Sequence, residues 1–182
     1  MIDWFPEQPG ENLGVFFYDQ LKFRAVERTF PSIAMMLPDP LLYPLGDNLI
    51  VTPNANYSAH DYKTLFHDLN YDFGYEMWQN ATRDNNYLNG PTGVDNVLCI
   101  HSSHVSTMRR MTFDQSGKGD KGFPDAVPNI TFDDGDGTVP AHSLENCRIW
   151  KNTKHVVILG VTHRNILNDK RFLSSVWQVL GK

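Results

Sequence analysis

The sequence has no excess of positive charge and no long apolar run. Its 182 residues contain 16 Lys and Arg against 21 Asp and Glu, which gives a formal net charge of −5. Nucleic-acid-binding surfaces need an excess of Lys and Arg to neutralise phosphates, so we expect no nucleic-acid partner. No apolar run approaches the roughly 18 residues of a membrane-spanning helix, so we expect no such helix in this sequence.

We also expect residues 1–6 not to be a signal peptide, although other features are typical of a secretory compartment. Residues 1–6 have neither the basic nor the apolar region of a signal peptide. Three Asn-x-Ser/Thr sequons, at Asn56, Asn80 and Asn129, are candidate glycosylation sites, although such tripeptides also arise by chance. Because secretory features without a signal peptide are inconsistent, we expect that sequence is missing upstream of Met1.

Cysteine is scarce, with Cys99 and Cys147 the only two in the chain. In an oxidising compartment they would form a disulfide, whereas two buried free thiols are the alternative. The sequence pattern leaves both interpretations open.

Strand and helix signals alternate along the chain. Short apolar runs at 48–52, 97–100 and 155–161 predict strands. Apolar residues at i, i+3, i+4 and i+7 predict helices over 62–69 and over 168–180. Alternating strands and helices predict an α/β sheet that is parallel at least in part.

Local signals indicate where several of these elements begin and end. Ser58, three residues before Asp61, predicts a capping-box-like helix start. Asn168 is the expected N-cap of the last helix, and Gly181 is expected to stop it. Residues 112–128, rich in Gly, Asp, Lys and Pro, predict a long mobile loop.

The densest polar motif is Asp-Asp-Gly-Asp-Gly-Thr-Val at residues 133–139, for which three interpretations compete. A plain loop is one, because Asp and Gly form turns. A calcium loop starting at Asp134 is the second, but Val139 stands where the sharp turn requires Gly, and Pro140 follows. The third interpretation makes Asp136 the acid of a catalytic triad, on a turn beside the sheet.

A catalytic histidine is then expected downstream, because α/β-hydrolases order their triads Ser, Asp, His. His163 lies two residues after the strand predicted to end at Val161, where a hydrolase histidine reaches over the carboxyl edge of the sheet. His101 and His104 form an H-x-x-H pair without further ligand spacing, so we expect no metal. The pattern alone does not decide whether Asp136 and His163 are catalytic or plain loop residues.

From about Gly10 to the C-terminus, the chain resembles the family of lecithin:cholesterol acyltransferase and the lysosomal phospholipase A/transacylase. The most specific matching segments are 134–139, 143–144, 147–150, His163 and 166–167. Further similar segments are 11–14, 21–24, 56–62, 74–78 and 93–99.

This resemblance implies the C-terminal portion of an α/β-hydrolase fold, an incomplete sheet with flanking helices. Residues 1–182 would form one segment of a single domain. Residues 1–30 would be the end of the family's active-site lid, and residues 31–182 would carry the triad acid Asp136 and the base His163. A disulfide between Cys99 and Cys147 is also implied.

The implied activity is that of a serine-type lipid O-acyltransferase or phospholipase. An upstream serine would take the acyl chain of a glycerophospholipid and pass it to a lipid alcohol or to water. His163 would be the base, and Asp136 would orient it. The setting would be a membrane or lipoprotein surface in a secreted or lysosomal location, and no cofactor is implied.

The sequence departs from the family pattern at three places. No G-x-S-x-G nucleophile elbow occurs, so we expect this polypeptide alone to be inactive. Residues 101–104 (His-Ser-Ser-His) replace Tyr-Gly and Thr-Pro after Cys99, and residues 35–36 (Met-Met) replace an aromatic-containing stretch. Three readings stay open: a fragment of an acyltransferase, an inactive lipid-binding or interaction module, and one half of a split enzyme whose other half supplies the nucleophile.

Overall fold

A computed structural model describes residues 20–85, 89–114 and 122–181, without the side chains of residues 20–23. Most of the predicted lid segment, residues 1–30, therefore lies outside the described residues. The helices are α1 (Gln20–Glu27), α2 (Pro31–Met35), α3 (Tyr62–Asp68), α4 (Asp72–Thr82), α5 (Ala141–Leu144) and α6 (Lys170–Val179), with short 3-10 helices at Glu145–Ile149 and Asn165–Asn168. The strands are β1 (Ile50–Val51), β2 (Asn56–Tyr57), β3 (Val97–Ser103), β4 (Val105–Thr112), β5 (Asn129–Gly135) and β6 (Thr153–Leu159).

The strands form two sheets. The larger has the order β2-β1-β4-β5, in which β1 and β4 are parallel and the outer pairs are antiparallel. The smaller consists of the parallel strands β3 and β6, with Cys99 opposite His155. The predicted mixed α/β class with an incomplete, partly parallel sheet is confirmed. No helix among the described residues is long and apolar enough to cross a membrane.

The helix predicted over residues 62–69 is confirmed as α3. The helix start that we expected at Ser58, however, lies one turn before the first residue of α3. The Asp61 carboxylate accepts hydrogen bonds from the amide of Ser58 at 2.9 Å and from its hydroxyl at 2.5 Å. These bonds close a separate turn ahead of the helix, and α3 begins only at Tyr62. The Ser-to-Asp pattern therefore marks the turn before the helix.

The last helix also begins later than predicted. Asn168 ends a 3-10 helix, and the N-cap of α6 is Asp169, whose carboxylate accepts the amide of Arg171 at 2.8 Å. The expected stop is present, since Gly181 adopts the left-handed conformation with φ 70° after the C-cap Leu180.

The long loop predicted at 112–128 connects two strands of one antiparallel hairpin. β4 continues to Thr112, and β5 begins at Asn129. Residues 115–121 lie outside the described residues. Phe123 anchors the described part of the connection, with its ring centroid 5.1 Å from that of Phe113 and 6.0 Å from that of Tyr57.

The hydrophobic core lies between the four-stranded sheet and α3. Ile50 and Met111 contribute from the sheet, each 2% exposed, and the apolar face of α3 contributes Tyr62, Leu65 and Phe66. Burying a side chain of this size stabilises the fold by about 1.5–3 kcal/mol. In contrast, no residue of α6 is buried. The core therefore belongs to one sheet, and the β3–β6 pair and α6 are sparsely covered.

Replacing Phe66 by Ala should test where this core lies. Phe66 is 4% exposed, so we expect Phe66→Ala to lower the free energy of unfolding by about 3–5 kcal/mol. Phe73, which is 60% exposed, is the matched control, and Phe73→Ala should stay within about 0.5 kcal/mol of the parent. Urea unfolding followed by circular dichroism measures both. Equal losses from the two variants would contradict the assignment.

The cap of α6 should make this helix sensitive to acid. The side chain and backbone of Arg171 hold the pKa of Asp169 below its ordinary value, at about 2. A carboxyl whose pKa is lowered on folding stabilises the folded state above its unfolded pKa of about 4, and that contribution is lost as the pH falls toward 2. We expect the amide of Arg171 to lose protection from hydrogen exchange over this range. Asp169→Asn should remove the pH dependence of this protection. A variant whose protection falls with pH as in the parent would contradict the role of Asp169.

Candidate active site

Asp136 lies directly after β5, at the carboxyl end of that strand. Its side chain is 5% exposed. One carboxylate oxygen, Oδ1, accepts the backbone amides of Thr138 at 2.9 Å and of Val139 at 2.8 Å. The amide of Asp136 in turn donates to the carbonyl of Val139 at 3.2 Å. The turn thus supplies the donors that a buried carboxylate requires, and Oδ2 is left for another partner.

The glycines on either side of Asp136 are needed for this turn. A Cβ on Gly135 would lie 2.3 Å from Oγ1 of Thr107 and 2.5 Å from the carbonyl oxygen of Val139, closer than any side chain tolerates. Gly137 has a φ of 90°, which disfavours a residue with a side chain. The Asp-Gly-Asp-Gly pattern is therefore a steric requirement of the turn.

Thr107, on the neighbouring strand β4, holds this turn in place. It is 1% exposed, and its Oγ1 accepts the amide of Gly137 at 2.8 Å. The same hydroxyl donates to the carbonyl of Val105 at 2.8 Å. Both capacities of the hydroxyl are used, so Thr107 couples the turn to the sheet. Sequence reasoning missed this residue, because no local pattern links it to a loop 30 residues later.

The short helix α5, which follows the Asp136 turn, packs against the core residue Tyr43. His142 packs edge-on against Tyr43 with ring centroids 4.3 Å apart, and the Tyr43 hydroxyl lies 3.3 Å from Oγ of Ser143. Burial raises the pKa of Tyr43 and lowers the pKa of His142. Both groups therefore stay uncharged at neutral pH, as suits a contact with the apolar core.

His163 lies in the loop after β6. The strand ends at Leu159, two residues earlier than predicted, because Gly160 turns the chain with a φ of 74°. The amide of Gly160 still donates to the carbonyl of Ser103 at 2.8 Å, and the buried Ser102 hydroxyl donates to the carbonyl of Val161. These two bonds to β3 fix the direction in which the loop leaves the sheet.

The structure brings Asp136 and His163 together through two hydrogen bonds. The amide of His163 donates to the carbonyl of Asp136 at 2.8 Å, and the ring Nδ1 lies 2.7 Å from Oδ2 of Asp136. An ionised carboxylate only accepts hydrogen bonds, so Nδ1 carries the proton. The lone pair of a neutral imidazole is then on Nε2, which is the tautomer a general base needs.

The two side chains differ in exposure, and that difference suits their chemistry. The Asp136 side chain is 5% exposed, whereas that of His163 is 49% exposed. An exposed imidazole could reach an external hydroxyl, and a buried carboxylate would stabilise the imidazolium that forms if Nε2 took its proton. The arrangement can perform acid–base chemistry on a group presented from outside the described residues.

His101 and His104, the H-x-x-H pair of the sequence, contact different partners. Nε2 of His101 lies 2.9 Å from Nε2 of His155 on β6, whereas Nδ1 of His104 lies 2.9 Å from Oγ of Ser103. Burial, together with the nearby His101 ring, lowers the pKa of His155. Only the strand register brings His155 to His101, and no local sequence pattern indicates this contact.

The structure does not form the calcium loop that the acidic motif resembles. Oδ1 of Asp134 accepts the amide of His104 at 2.5 Å, and Oδ1 of Asp136 accepts two amides. These carboxylates face N–H donors, which are not ligands of a cation.

The remaining predicted sites lie on separate parts of the surface and core. Cys99 and Cys147 form a disulfide, with Cα atoms 6.3 Å apart. The three sequon asparagines, Asn56 in β2, Asn80 in α4 and Asn129 at the start of β5, are all exposed. Their glycosylation stays a prediction.

These features define a class: a mixed α/β protein that presents a carboxylate–histidine pair on loops after two strands, compatible with an α/β-hydrolase-like fold. A family model for lecithin:cholesterol acyltransferase matches residues 8–175. The chain belongs to this family, as its resemblance predicted.

Named relatives extend the comparison. The phosphatidylcholine-sterol acyltransferase of Gallus gallus is 31% identical over 166 residues, covering 87% of this chain and 38% of that protein. The Homo sapiens protein of that name is 28% identical over 177 residues, covering 94% of this chain and 38% of its own length. The lysosomal phospholipase A and acyltransferase of Rattus norvegicus is 30% identical over 176 residues, covering 94% and 40%. This chain thus spans about two fifths of the relatives' length.

Replacing Thr107 should reveal whether it positions Asp136. Thr107→Val keeps the shape of the side chain but removes the hydroxyl that accepts the amide of Gly137 and donates to the carbonyl of Val105. We expect a loss of about 1–3 kcal/mol in the free energy of unfolding and a weakened Nδ1 proton signal of His163 in NMR spectra. Thr107→Ser, which keeps the hydroxyl, is the control and should preserve the signal. An unchanged His163 signal in the Val variant would contradict this role.

Proposed function

We propose that this chain supplies the acid and the base of a Ser-Asp-His triad in a lipid O-acyltransferase or phospholipase. The observation that carries the proposal is the 2.7 Å hydrogen bond between Nδ1 of His163 and the buried carboxylate of Asp136. Family membership supports it, because the family's characterised relatives are named as acyltransferases and a phospholipase.

In this mechanism His163 acts on a serine hydroxyl that another segment provides. Nε2 takes the hydroxyl proton as the serine attacks the ester carbonyl of a glycerophospholipid, and then returns it to the departing lysophospholipid. Asp136 keeps the imidazole in the required tautomer and stabilises its charged form. The acyl-serine then transfers its chain to a lipid alcohol or to water, with His163 again as the base.

A nucleophile-bearing segment is needed because no G-x-S-x-G elbow occurs in this sequence. Two features support its docking beside the acid–base pair. Within the described residues β3 pairs only with β6, so its other edge can accept a further strand. The apolar side of α6 is also exposed, since Leu173, Trp177 and Leu180 are between 42% and 62% exposed. A sheet with more strands than the β3–β6 pair could cover it.

The names of the relatives suggest the substrates and the setting. A phosphatidylcholine-like phospholipid would be the acyl donor, and a sterol, another lipid alcohol or water would be the acceptor. The reaction would take place at a membrane or lipoprotein surface. Secretion or lysosomal delivery is proposed from the same relatives, with the disulfide as supporting chemistry, since disulfides persist in oxidising compartments.

A chimera tests the proposal. The matching part of the Gallus gallus relative would be replaced by this chain, and release and transfer of acyl chains from phosphatidylcholine vesicles would be measured. We expect activity from the chimera and none from this chain alone. His163→Ala should lower the chimera's kcat by about four to six orders of magnitude, because the serine loses its base.

His67 provides the matched control for that experiment. It is also exposed and paired with an aspartate, with Nδ1 3.0 Å from Oδ1 of Asp72, but it lies on α3. His67→Ala should leave the chimera's activity unchanged. A folded chimera that keeps its activity without His163, or that binds phosphatidylcholine but never cleaves it, would instead favour a lipid-binding or interaction module.

A further inference from the structure

A second group of chemically active side chains lies apart from the Asp136–His163 pair. The potential ligand atoms of Cys99, Cys147 and His155 all lie within 4.8 Å of one another. Nε2 of a fourth side chain, His101, lies 2.9 Å from Nε2 of His155. Two sulfurs and two imidazoles are the donor set of a tetrahedral zinc site.

The topology explains why these four residues meet. In the parallel β3–β6 pair, Cys99 lies opposite His155. Side chains alternate between the faces of a strand, so His101 shares the face of Cys99. Cys147 comes from the 3-10 helix Glu145–Ile149, which contacts both strands. Three separate elements thus contribute to one cluster, as in many structural metal sites.

The orientation of His101 is suited to metal binding. His101 is 4% exposed, and its Nδ1 is 3.0 Å from the carbonyl oxygen of Ser102. A carbonyl only accepts hydrogen bonds, so Nδ1 carries the proton and the lone pair is on Nε2. A backbone carbonyl that fixes the tautomer in this way is the usual outer partner of a metal-bound histidine.

We propose that reduction of the Cys99–Cys147 disulfide opens a Zn²⁺ site formed by Cys99, Cys147, His155 and His101. Two molecules of a low-molecular-weight thiol convert the protein disulfide into two cysteine thiols and leave as their own disulfide. The Nε2 proton of His155, which is donated to Nε2 of His101 in the oxidised protein, moves through solvent to Nδ1 of the same ring. Zn²⁺ then replaces the two thiol protons, which pass to solvent, and binds two thiolates and two neutral imidazoles. Zinc does not change its oxidation state.

The two histidine nitrogens are close to the spacing that a tetrahedral ion requires. Zinc–sulfur bonds of about 2.3 Å and zinc–nitrogen bonds of about 2.0–2.1 Å place tetrahedral sulfurs about 3.8 Å apart and nitrogens about 3.3 Å apart. The two Nε2 atoms are 2.9 Å apart, so they must separate by about 0.4 Å. The sulfurs must move from bonding contact to that spacing once the disulfide is broken. In the oxidised protein the sulfurs are bonded to each other, and the site is closed.

His101 belongs to the stretch in which this sequence departs from its family pattern. In the zinc form the ion would take over the cross-link between β3, β6 and the 3-10 helix that the disulfide provides in the oxidised form. The fold would then keep a cross-link at this point in either redox state.

Metal binding by the full chain tests this inference. The protein would be reduced with a phosphine under argon, freed of reductant, mixed with Zn²⁺ and separated by gel filtration, with bound zinc measured by elemental analysis. We expect one zinc per reduced chain and none per oxidised chain. With Co²⁺ in place of Zn²⁺, the reduced chain should show thiolate-to-cobalt charge transfer and the absorption of a tetrahedral site.

Variants identify the ligands. His155→Gln and His101→Gln should each weaken zinc binding by about tenfold or more, whereas His67→Gln and His163→Ala should bind as the parent does. The His163 control also separates this site from the proposed acid–base pair. Circular dichroism of the reduced chain before and after zinc shows whether the metal restores any structure lost on reduction.

Several results would overturn the proposal. They are a reduced chain that takes up no zinc, an oxidised chain that takes up as much, and zinc binding that is unaffected by both His101→Gln and His155→Gln. Reduction that unfolds the chain without recovery in zinc would also overturn it, because the metal would then not hold the cluster together.

Discussion

The arrangement of the candidate active site depends on how the protein accommodates one buried carboxylate. A buried charge is costly unless donors satisfy it, and Asp136 receives two backbone amides on one oxygen and the His163 ring on the other. Those donors are aligned only if the turn after β5 is tight and the loop after β6 crosses to meet it. The glycines of the Asp-Gly-Asp-Gly motif follow from this requirement, as does the buried hydroxyl of Thr107.

Much of this could be predicted from local sequence. The apolar periodicity of α3 and the runs that became β1, β3 and β6 were sufficient to place those elements, because burial of one face imposes a regular pattern. Helix starts were less predictable, since the Asp61 carboxylate bonds back to Ser58 in a turn outside the helix, and Asp169 rather than Asn168 accepts the first amide of α6. Thr107 and the His101–His155 contact depend on strand register, which no local pattern encodes.

The hydrophobic core and the candidate chemistry occupy different parts of the fold. Tyr62, Leu65 and Phe66 pack onto the four-stranded sheet. Asp136 instead follows β5, the edge strand of that sheet, and His163 follows β6 of the smaller sheet. On the β3–β6 side, backbone pairing, the Ser102 and Gly160 hydrogen bonds and one disulfide stabilise the structure, and Ile158 is the one apolar residue of β6 that is buried. The β3–β6 pair therefore has well-defined hydrogen bonds but few buried apolar side chains. Such a surface is expected where a further layer of structure packs against it.

That distribution makes the cross-link at Cys99 important for the position of His163. The loop that carries His163 is fixed by bonds to Ser102 and Ser103, at the carboxyl end of the strand in which Cys99 lies. Four residues of strand span about 13 Å, and over that length β3 and β6 are paired in continuous register. With few buried side chains to hold the pair from either face, its order depends on the ladder and on the cross-link at its other end. We therefore expect a change in that cross-link to alter the position of the loop that carries His163.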